Sequence, residues 1–345
     1  MKRAISVVLS LGLVLLSAGC SVNNDARDED SKFKVAMVTD TGGVNDQSFN
    51  SSAWLGMSNF ALRTNTVARY IESAQSSDYI INIDKLADEN CNLIWGIGFA
   101  LADVVKQAAR VNPELNYAIA DYSYGDDTLD NITSVVFRAE ESAFIVGYIA
   151  GKTTKTNSVG FVGGMKTVVI DQFEYGFRAG VDYAAKELGK KIDIKTQYAE
   201  SFSDAAKGKA IASMMFLNGC DIVLHAAGGV GVGVIEAAKE SGNFAIGADS
   251  DQRHLAPDNV LTSAIKNVGK SVDIVSTKLM NGDKIGGQTM SFGLKEDCVG
   301  IPEENPNVAP NVLESAYKVE KLIMDGKIVP PKNIEEYNNF VKNLY

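Results

Sequence analysis

The sequence lacks any block of basic residues, although more than a fifth of it is charged. It carries 43 acidic and 33 basic side chains, which gives a formal net charge of -10. Nucleic-acid-binding proteins need clustered lysine and arginine to neutralise phosphates, and adhesion to anionic lipid needs a similar patch. The composition therefore argues against nucleic acid as a partner and against electrostatic adhesion to a membrane.

Histidine is scarce, and the familiar catalytic motifs are absent from the sequence. His225 and His254 are the only two histidines, and neither has the spacing of a metal-ligand pair. No G-x-S-x-G nucleophile motif occurs. His225 ends an apolar stretch, where a histidine is more often a buried structural residue than a catalytic base. We therefore predict a protein that is not an enzyme and that needs no metal or cofactor.

The N-terminus differs in character from the rest of the chain. Two basic residues open it, an apolar run follows over residues 4–16, and small residues lead to Cys20. This order is typical of a secretory signal. The segment resembles the bacterial lipobox, in which the cysteine is acylated and becomes the first mature residue, although Ser17 stands where an apolar residue is usual. We predict a lipoprotein signal peptide over residues 1–20 and an exported protein, lipid-anchored on the periplasmic or surface face of the cell membrane; an uncleaved anchor helix is the alternative.

Cysteine is rare, and long apolar runs are missing beyond this signal. Cys91, Cys220 and Cys298 are the remaining cysteines, and an odd number in an exported protein argues against a disulfide framework. We expect them to be buried free thiols. No later segment reaches the ~18 apolar residues of a membrane span. Residues 21–34 are polar and are predicted to be a flexible tether.

After the tether, short β-branched runs alternate with amphipathic helical stretches in two successive series. The first series has predicted strands at 34–39, 68–72, 93–96, 117–120 and 134–137, and predicted helices at 49–63, 78–89 and 100–110. The second has predicted strands at 158–162, 192–198, 221–225, 244–247 and 260–264, and predicted helices at 140–154, 171–188, 204–217 and 230–241. Two further helices are predicted at 312–324 and 334–344. Such alternation predicts α/β architecture with parallel sheets covered by helices on both faces.

Two series of this length predict two doubly wound parallel-sheet lobes joined by a hinge. No flexible linker separates the series, so the chain is expected to cross between lobes in short ordered segments near 138–141, 264–266 and 291–294. The N-terminal lobe is predicted to contain 35–138 plus 265–291, and the C-terminal lobe 139–264 plus 292–345. Ligands of such sheets bind in the cleft at the carboxyl ends of the strands.

The loop after the first predicted strand is the richest in polar groups. Asp40, Asn45, Asp46 and Asn50 cluster there, and Phe49 begins the following helix. The backbone N–H groups of that helix start face the same cleft. A capped helix, with Asn45 or Asp46 as the N-cap and Phe49 in the core, is the alternative interpretation. Because capping explains only one of the polar residues, we favour a ligand-binding loop.

This loop resembles the signature of the basic membrane protein family, the purine-nucleoside receptor-like lipoproteins that feed ABC transporters. Further segments similar to that family are 95–99, 160–165, 173–177, 227–235, 247–252, 262–266 and 300–306. The similarity spans essentially everything after the tether. It implies a periplasmic binding protein fold of type I, a purine nucleoside ligand (adenosine, guanosine or inosine), and an ABC permease with its ATPase as partners.

The resemblance also implies roles for individual residues. Phe49 and Phe173 would come from opposite lobes and stack on the flat base. Asp121 would accept hydrogen bonds from the base, whereas Asp249 and Lys266 would bind the ribose hydroxyls. A core position for Phe173 and a capping role for Asp121 are the alternatives. The other predicted ligand-binding residues are Asp40, Asn45, Asp46, Asn50, Gly228 and Gly229.

Several other functions were weighed on the residues alone. The glycines at 229, 231 and 233 imitate a dinucleotide fingerprint, but their spacing differs and an exported protein does not meet NAD. A sugar or sugar-like signal is an alternative ligand, since aromatic rings and carboxylates also suit pyranoses. Paired acids such as Asp249 with Asp251 would also suit a glycosidase or nucleoside hydrolase. A surface adhesin is a further alternative, because some relatives in the family resembled are described as adhesins.

Overall fold

The computed structural model describes residues 32–344. The predicted signal peptide, the lipidation site Cys20 and most of the predicted tether lie outside the described residues. Within them, no helix combines the length and the apolar character needed to cross a membrane. Cys91, Cys220 and Cys298 are buried free thiols.

The first β-sheet has six parallel strands, and three helices alternate with its early strands. The strands are β1 (Lys34–Thr39), β2 (Val67–Ile71), β3 (Leu93–Ile97), β4 (Asn116–Ala120), β5 (Ile132–Phe137) and β11 (Gln288–Phe292). The helices are α1 (Phe49–Thr64), α2 (Asp78–Asp88) and α3 (Ala102–Val111). The strand order is β11-β5-β4-β3-β1-β2. Every residue of β3 is buried, as expected of a central parallel strand that helices cover on both faces.

The second β-sheet also has six strands, five of which lie between β5 and β11 in the chain. The strands are β6 (Ser158–Gly163), β7 (Asp193–Tyr198), β8 (Ile222–Ala226), β9 (Phe244–Asp249), β10 (Val260–Lys266) and β12 (Val299–Gly300). The helices that follow β5 are α4 (Ala139–Thr153), α5 (Val168–Leu188), α6 (Ala205–Leu217), α7 (Val230–Ser241), α8 (Val268–Met280), α9 (Pro310–Met324) and α10 (Ile334–Leu344). The strand order is β12-β10-β9-β8-β6-β7.

The predicted α/β fold with two doubly wound sheets is confirmed, but the helix α8 and two strands were not foreseen. The sequence of β11 is largely polar and its residues are mostly exposed, so it carries no hydrophobic run. The strand β12 is only two residues long and pairs antiparallel with β10, so the second sheet is not wholly parallel. The predicted boundaries of the two lobes stay a prediction.

The helices α4 and α5 pack unusually close to each other because glycines lie at their interface. A side chain at Gly180 would place its Cβ 2.0 Å from the backbone oxygen of Phe144. Only glycine permits this approach. The resulting helix pair anchors the segment in which the chain passes from the first sheet to the second.

The passages between the two sheets are tied together by Arg138. Its backbone N–H donates to the Phe292 carbonyl at 2.8 Å, which joins the end of β5 to the end of β11. Its guanidinium forms ion pairs with Glu141 at 2.8 Å and with Glu296 at 2.6 Å. The connections on this side of the molecule are therefore held to one another by a charged network.

Candidate functional site

A cavity lies where the carboxyl ends of strands from both sheets meet. The lining residues come from strand ends, from the loops after them, and from the first turns of α1 and α5. They are Asp40, Gly42, Asp46, Phe49, Asn50, Gly98, Phe99, Asp121, Val169, Ile170, Phe173, Phe202, Ala226, Ala227, Gly228, Ala248, Asp249 and Lys266.

Most of the residues predicted to bind a ligand line this cavity. They are Asp40, Asp46, Phe49, Asn50, Asp121, Phe173, Gly228, Asp249 and Lys266. The two others, Asn45 and Gly229, adjoin lining residues in the sequence but do not line the cavity themselves, and Asn45 is exposed to solvent. The structure thus gathers into one place residues that are more than two hundred positions apart in the chain.

Lys266, the last residue of β10, lies at the centre of the charged part of the cavity. Its Nζ is 2.6 Å from Asp121 Oδ2 and 3.5 Å from Asp249 Oδ1. Only 3 % of the residue is exposed. Burial alone would lower the pKa of Lys266, but the two carboxylates outweigh burial and raise it above the usual value. The ammonium group therefore stays charged, and it is paired on both sides.

The two carboxylates that flank Lys266 lie at the ends of strands, on backbone that is strained. Asp121 has a φ of 62° and Asp249 a φ of 65°, values that residues with side chains rarely adopt. Such strain costs about 1–3 kcal/mol per residue and concentrates at functional sites. Burial raises the pKa of Asp121, and the charge of Lys266 opposes that shift. The strained backbone aims one carboxylate from each sheet at the same lysine.

Two phenylalanine rings from different sheets also approach this lysine. The Lys266 Nζ lies 4.5 Å from the centre of the Phe49 ring and 5.6 Å from that of Phe173. The rings are therefore no further apart than the sum of these two distances. Phe173 is 2 % exposed and belongs to the hydrophobic core, yet it lines the cavity as well. Phe173 is therefore both a core residue, as the alternative interpretation expects, and part of the cavity wall, and its contact with a ligand stays a prediction.

Asp40 and Asn50 form a second polar group on the side of the first sheet. Asp40 Oδ1 accepts hydrogen bonds from the Gly42 backbone N–H and from Asn50 Nδ2, both at 2.9 Å. Burial raises the pKa of Asp40, and these two hydrogen bonds act against it. Asn50 Oδ1 is buried and has no hydrogen-bond partner. Because an unpaired buried acceptor is costly, this atom is suited to receive a donor from a ligand.

The Asp46 carboxylate caps the start of α1, although the N-cap residue itself is Ser48. Its carboxylate accepts three backbone hydrogen bonds, from Ser48 at 3.0 Å, Asn50 at 2.8 Å and Ser51 at 3.0 Å. These bonds satisfy N–H groups that a helix start otherwise leaves unpaired. Burial raises the pKa of Asp46, although the three bonds lower it in part. Neither Asn45 nor Asp46 is the N-cap residue, so that alternative is wrong in its position, but the Asp46 carboxylate does bond the helix start and fixes Phe49 and Asn50 at the cavity wall.

The sequence analysis missed a second pair of aromatic residues at the cavity. Phe99 follows β3, and Phe202 lies in the loop after β7. Their rings meet edge to face, with centres 6.3 Å apart and planes at 68°. Phe99 belongs to a segment that resembles the family, but nothing assigned it a role. Phe202 stands in a polar stretch without hydrophobic periodicity, so no sequence signal indicates it.

Two α/β sheets that face each other across a cavity, with aromatic rings and buried charges inside it, define a two-lobe binding protein. The family model for PnrA-like ABC transporter substrate-binding proteins matches residues 33–333. The chain belongs to this family, Bmp, whose members are exported binding proteins and not enzymes.

Two curated relatives match almost the full chain. Basic membrane protein A of Borreliella burgdorferi is 38% identical over 349 residues, which is 100% of both chains. The CD4+ T-cell-stimulating antigen of Listeria innocua is 39% identical over 355 residues, which is 95% of this chain and 97% of the relative.

A solved structure confirms the architecture. The solute-binding protein of an ABC transporter system from Aeropyrum pernix K1 matches with a TM-score of 0.80. It is 24% identical and covers 90% of this chain and 97% of its own. At that identity the likeness establishes the fold alone.

Proposed function

We propose that this substrate-binding protein captures a purine nucleoside and presents it to an ABC permease and its ATPase. The observation that carries the proposal is the buried Lys266, which lies between two carboxylates and beside phenylalanine rings from both sheets. A nucleoside has two complementary parts, a flat base for the rings and a ribose with neighbouring hydroxyls for the charged groups.

The aromatic part of the cavity suits a flat heterocycle. A base stacked on aromatic side chains gains about 1–3 kcal/mol, and the gain depends little on which base it is. Phe49 and Phe173 both line this cavity, one from each sheet, and are the rings proposed to contact the base. Asn50 Oδ1 is an unpaired acceptor next to Phe49 and can take a hydrogen bond from an N–H group of the base.

The charged part of the cavity suits a diol. One oxygen of Asp249 faces Lys266 and the other accepts from Ser48 Oγ. Each carboxylate oxygen has a further lone pair, which can accept a ribose hydroxyl in a charge-assisted bond. Lys266 Nζ lies 2.6 Å from Asp121 and 3.5 Å from Asp249, so its positive charge stands beside both acceptors of this part of the cavity.

The first experiment identifies the ligand that remains bound when the protein is purified without unfolding. We expect extracted ligand to have the ultraviolet spectrum and the mass of a purine nucleoside. Calorimetry on ligand-free protein with adenosine, guanosine, inosine and several pentoses and hexoses then measures preference. Binding of a sugar with no binding of any nucleoside would show that the ligand proposal is wrong.

The second experiment tests the residues. We expect Phe49→Ala to weaken nucleoside binding at least tenfold, because one stacking face is lost. We expect Asp249→Ala to weaken it at least as much. Phe33→Ala is the control, because Phe33 is a partly buried phenylalanine near the same sheet that does not line the cavity. Unchanged affinity in both cavity variants would overturn the proposed site.

We also propose that the protein is a lipoprotein anchored through Cys20. The support is the lipobox-like N-terminal sequence and not the described structure. Cells that express the protein are grown with a radiolabelled fatty acid, and the label on the protein is counted. We expect Cys20→Ser to abolish labelling and Cys220→Ser to leave it intact. Equal labelling of the Cys20→Ser variant and the original protein would show that the anchor is elsewhere.

A further inference from the structure

Beside the cavity, the loop that precedes α1 contacts the loop that follows β9. The carbonyl of Gln47 accepts a hydrogen bond from Gln252 Nε2 at 2.9 Å and one from Ser250 Oγ at 3.3 Å. Ser48 Oγ donates to the Asp249 carboxylate. Gln47 and Ser48 follow a strand of the first sheet, whereas their partners follow a strand of the second. These bonds therefore join the two lobes directly, next to the proposed ribose site.

Gln252 is the residue through which this contact reaches the interior of its own lobe. The side chain is completely buried. Its Oε1 accepts from the Ala248 backbone N–H at 3.0 Å and contacts His225 Nε2 at 2.7 Å. A backbone N–H can only donate and the Gln47 carbonyl can only accept, so the oxygen of the amide must face Ala248 and the nitrogen must face Gln47. The amide has one possible orientation.

His225 completes this arrangement. Because Gln252 Oε1 is an acceptor, His225 Nε2 must carry the proton and donate it to the hydrogen bond. His225 is completely buried, and burial lowers its pKa, so the ring stays neutral. Its other nitrogen, Nδ1, has no hydrogen-bond partner. The only hydrogen bond of the His225 ring among the described residues is therefore the one that orients the Gln252 amide.

We infer that Gln252 is a positioning residue for ligand capture: His225 orients its amide within one lobe, and its bond to the Gln47 carbonyl holds the other lobe closed. The inference rests on the proposed binding of a ligand in the cavity between the lobes. Closure by this bond also brings Ser48 to Asp249, which fixes the carboxylate that faces the ligand. Opening breaks the bond between Gln252 and Gln47 and leaves the bonds to His225 and Ala248 intact.

This role predicts an effect on ligand release more than on ligand entry. The bond to Gln47 forms only when the lobes meet, so it stabilises the closed complex and not the open state that admits the ligand. Gln252→Met keeps the length of the side chain and removes both the donor to Gln47 and the acceptor for Ala248 and His225. We expect the dissociation rate constant to rise about tenfold, with the association rate constant within about twofold of the original.

The matched control is Asn305→Leu. Asn305 is another buried amide of the second sheet's lobe, and its side chain bonds only to Thr262 at 2.7 Å and to the Pro302 carbonyl at 2.5 Å. Its loss removes similar bonds without touching the first lobe. Gln252→Asn is the second variant in case Gln252→Met does not fold, because it retains an amide that is one methylene too short to reach Gln47.

A second experiment measures the distance between the two lobes directly and needs no added ligand. In both sheet orders, the strands β2 and β7 lie at the edge opposite the passages between the lobes. Exposed residues near their ends should therefore move most when the lobes open. Spin labels on Ala74→Cys and Ser203→Cys report that distance by pulsed electron resonance, both in protein as purified and after ligand removal.

The outcomes separate this inference from the proposed function. We expect the Gln252 variants to shift the distance distribution toward longer values and Asn305→Leu to leave it unchanged. Distributions identical to those of the original protein in both states would overturn the inference, as would an equal shift in the control. If no nucleoside binds the original protein, the proposed function fails, and the distance measurement still decides the role of Gln252.

Discussion

A buried glutamate near the passage between the lobes makes the stability of the protein depend on pH. Glu140 lies in the first turn of α4, and only 7 % of it is exposed. Its Oε2 atom has no hydrogen-bond partner. Burial raises the pKa of Glu140 from 4.5 to about 7; the charge of Glu141 adds to the shift, and Arg138 and Lys332 oppose it. The folded protein therefore prefers this side chain protonated.

The sign and size of the effect follow from linkage. Below pH 4.5 the carboxyl is protonated in both the folded and the unfolded state, and its stabilising contribution is complete. As the pH rises through the folded-state pKa of about 7, that contribution is lost, because ionisation favours the unfolded state. One pKa unit corresponds to about 1.4 kcal/mol, so the full loss is about 3 kcal/mol.

Glu140→Gln keeps the side chain neutral at every pH and tests this reasoning. Relative to the original protein, the variant should gain about 3 kcal/mol in free energy of unfolding between pH 4.5 and pH 8. Urea unfolding followed by circular dichroism at both pH values measures the gain. Glu303→Gln, the same change at an exposed position, is the control and should show no such dependence. A stability difference that is the same at both pH values would refute the argument.

Two further predictions concern the lysine of the cavity and the contact between α4 and α5. Lys266→Met leaves Asp121 and its neighbouring carboxylate buried without a counter-charge, which costs about 3–5 kcal/mol in unfolding free energy, and calorimetry should detect no ligand binding; affinity within twofold of the original would contradict the central role of the lysine. Gly180→Ala places a Cβ against the Phe144 carbonyl, so the midpoint of thermal unfolding should fall by an amount that corresponds to about 1–3 kcal/mol. An unchanged midpoint would show that α4 and α5 separate easily.

The regular part of the fold was predictable from local patterns. The strand β1 is apolar from Val35 to Val38, and α1 begins at the predicted residue, Phe49. Such elements can be recognised in a sequence, because burial on both faces requires a continuous apolar run and burial on one face requires a periodic apolar pattern. The strand β11 could not be recognised in this way, because it is an edge strand whose side chains are mostly exposed and polar.

The candidate site was predictable where the resemblance to the family covers it. The resemblance implied Asp121 and Asp249, and the position of each directly after, or at the end of, an apolar strand agreed with a place in the cleft. Phe202 could not be found in this way, because it lies in a loop whose conformation depends on the packed fold. The hydrogen bond between Gln47 and Gln252 could not be predicted from the sequence either, because the two residues are 205 positions apart and meet only when the lobes touch.

The left-handed backbone at the ends of β4 and β9 restricts how this cavity can change during evolution. At Asp121 and Asp249, glycine adopts the observed φ values without strain, and asparagine and aspartate adopt them at a lower cost than other residues. Replacement by asparagine keeps the backbone and turns an acceptor of two hydroxyls into one acceptor and one donor. A relative that acquired a new ligand preference would therefore most readily do so by an amide at one of these two positions, without any repair elsewhere in the fold.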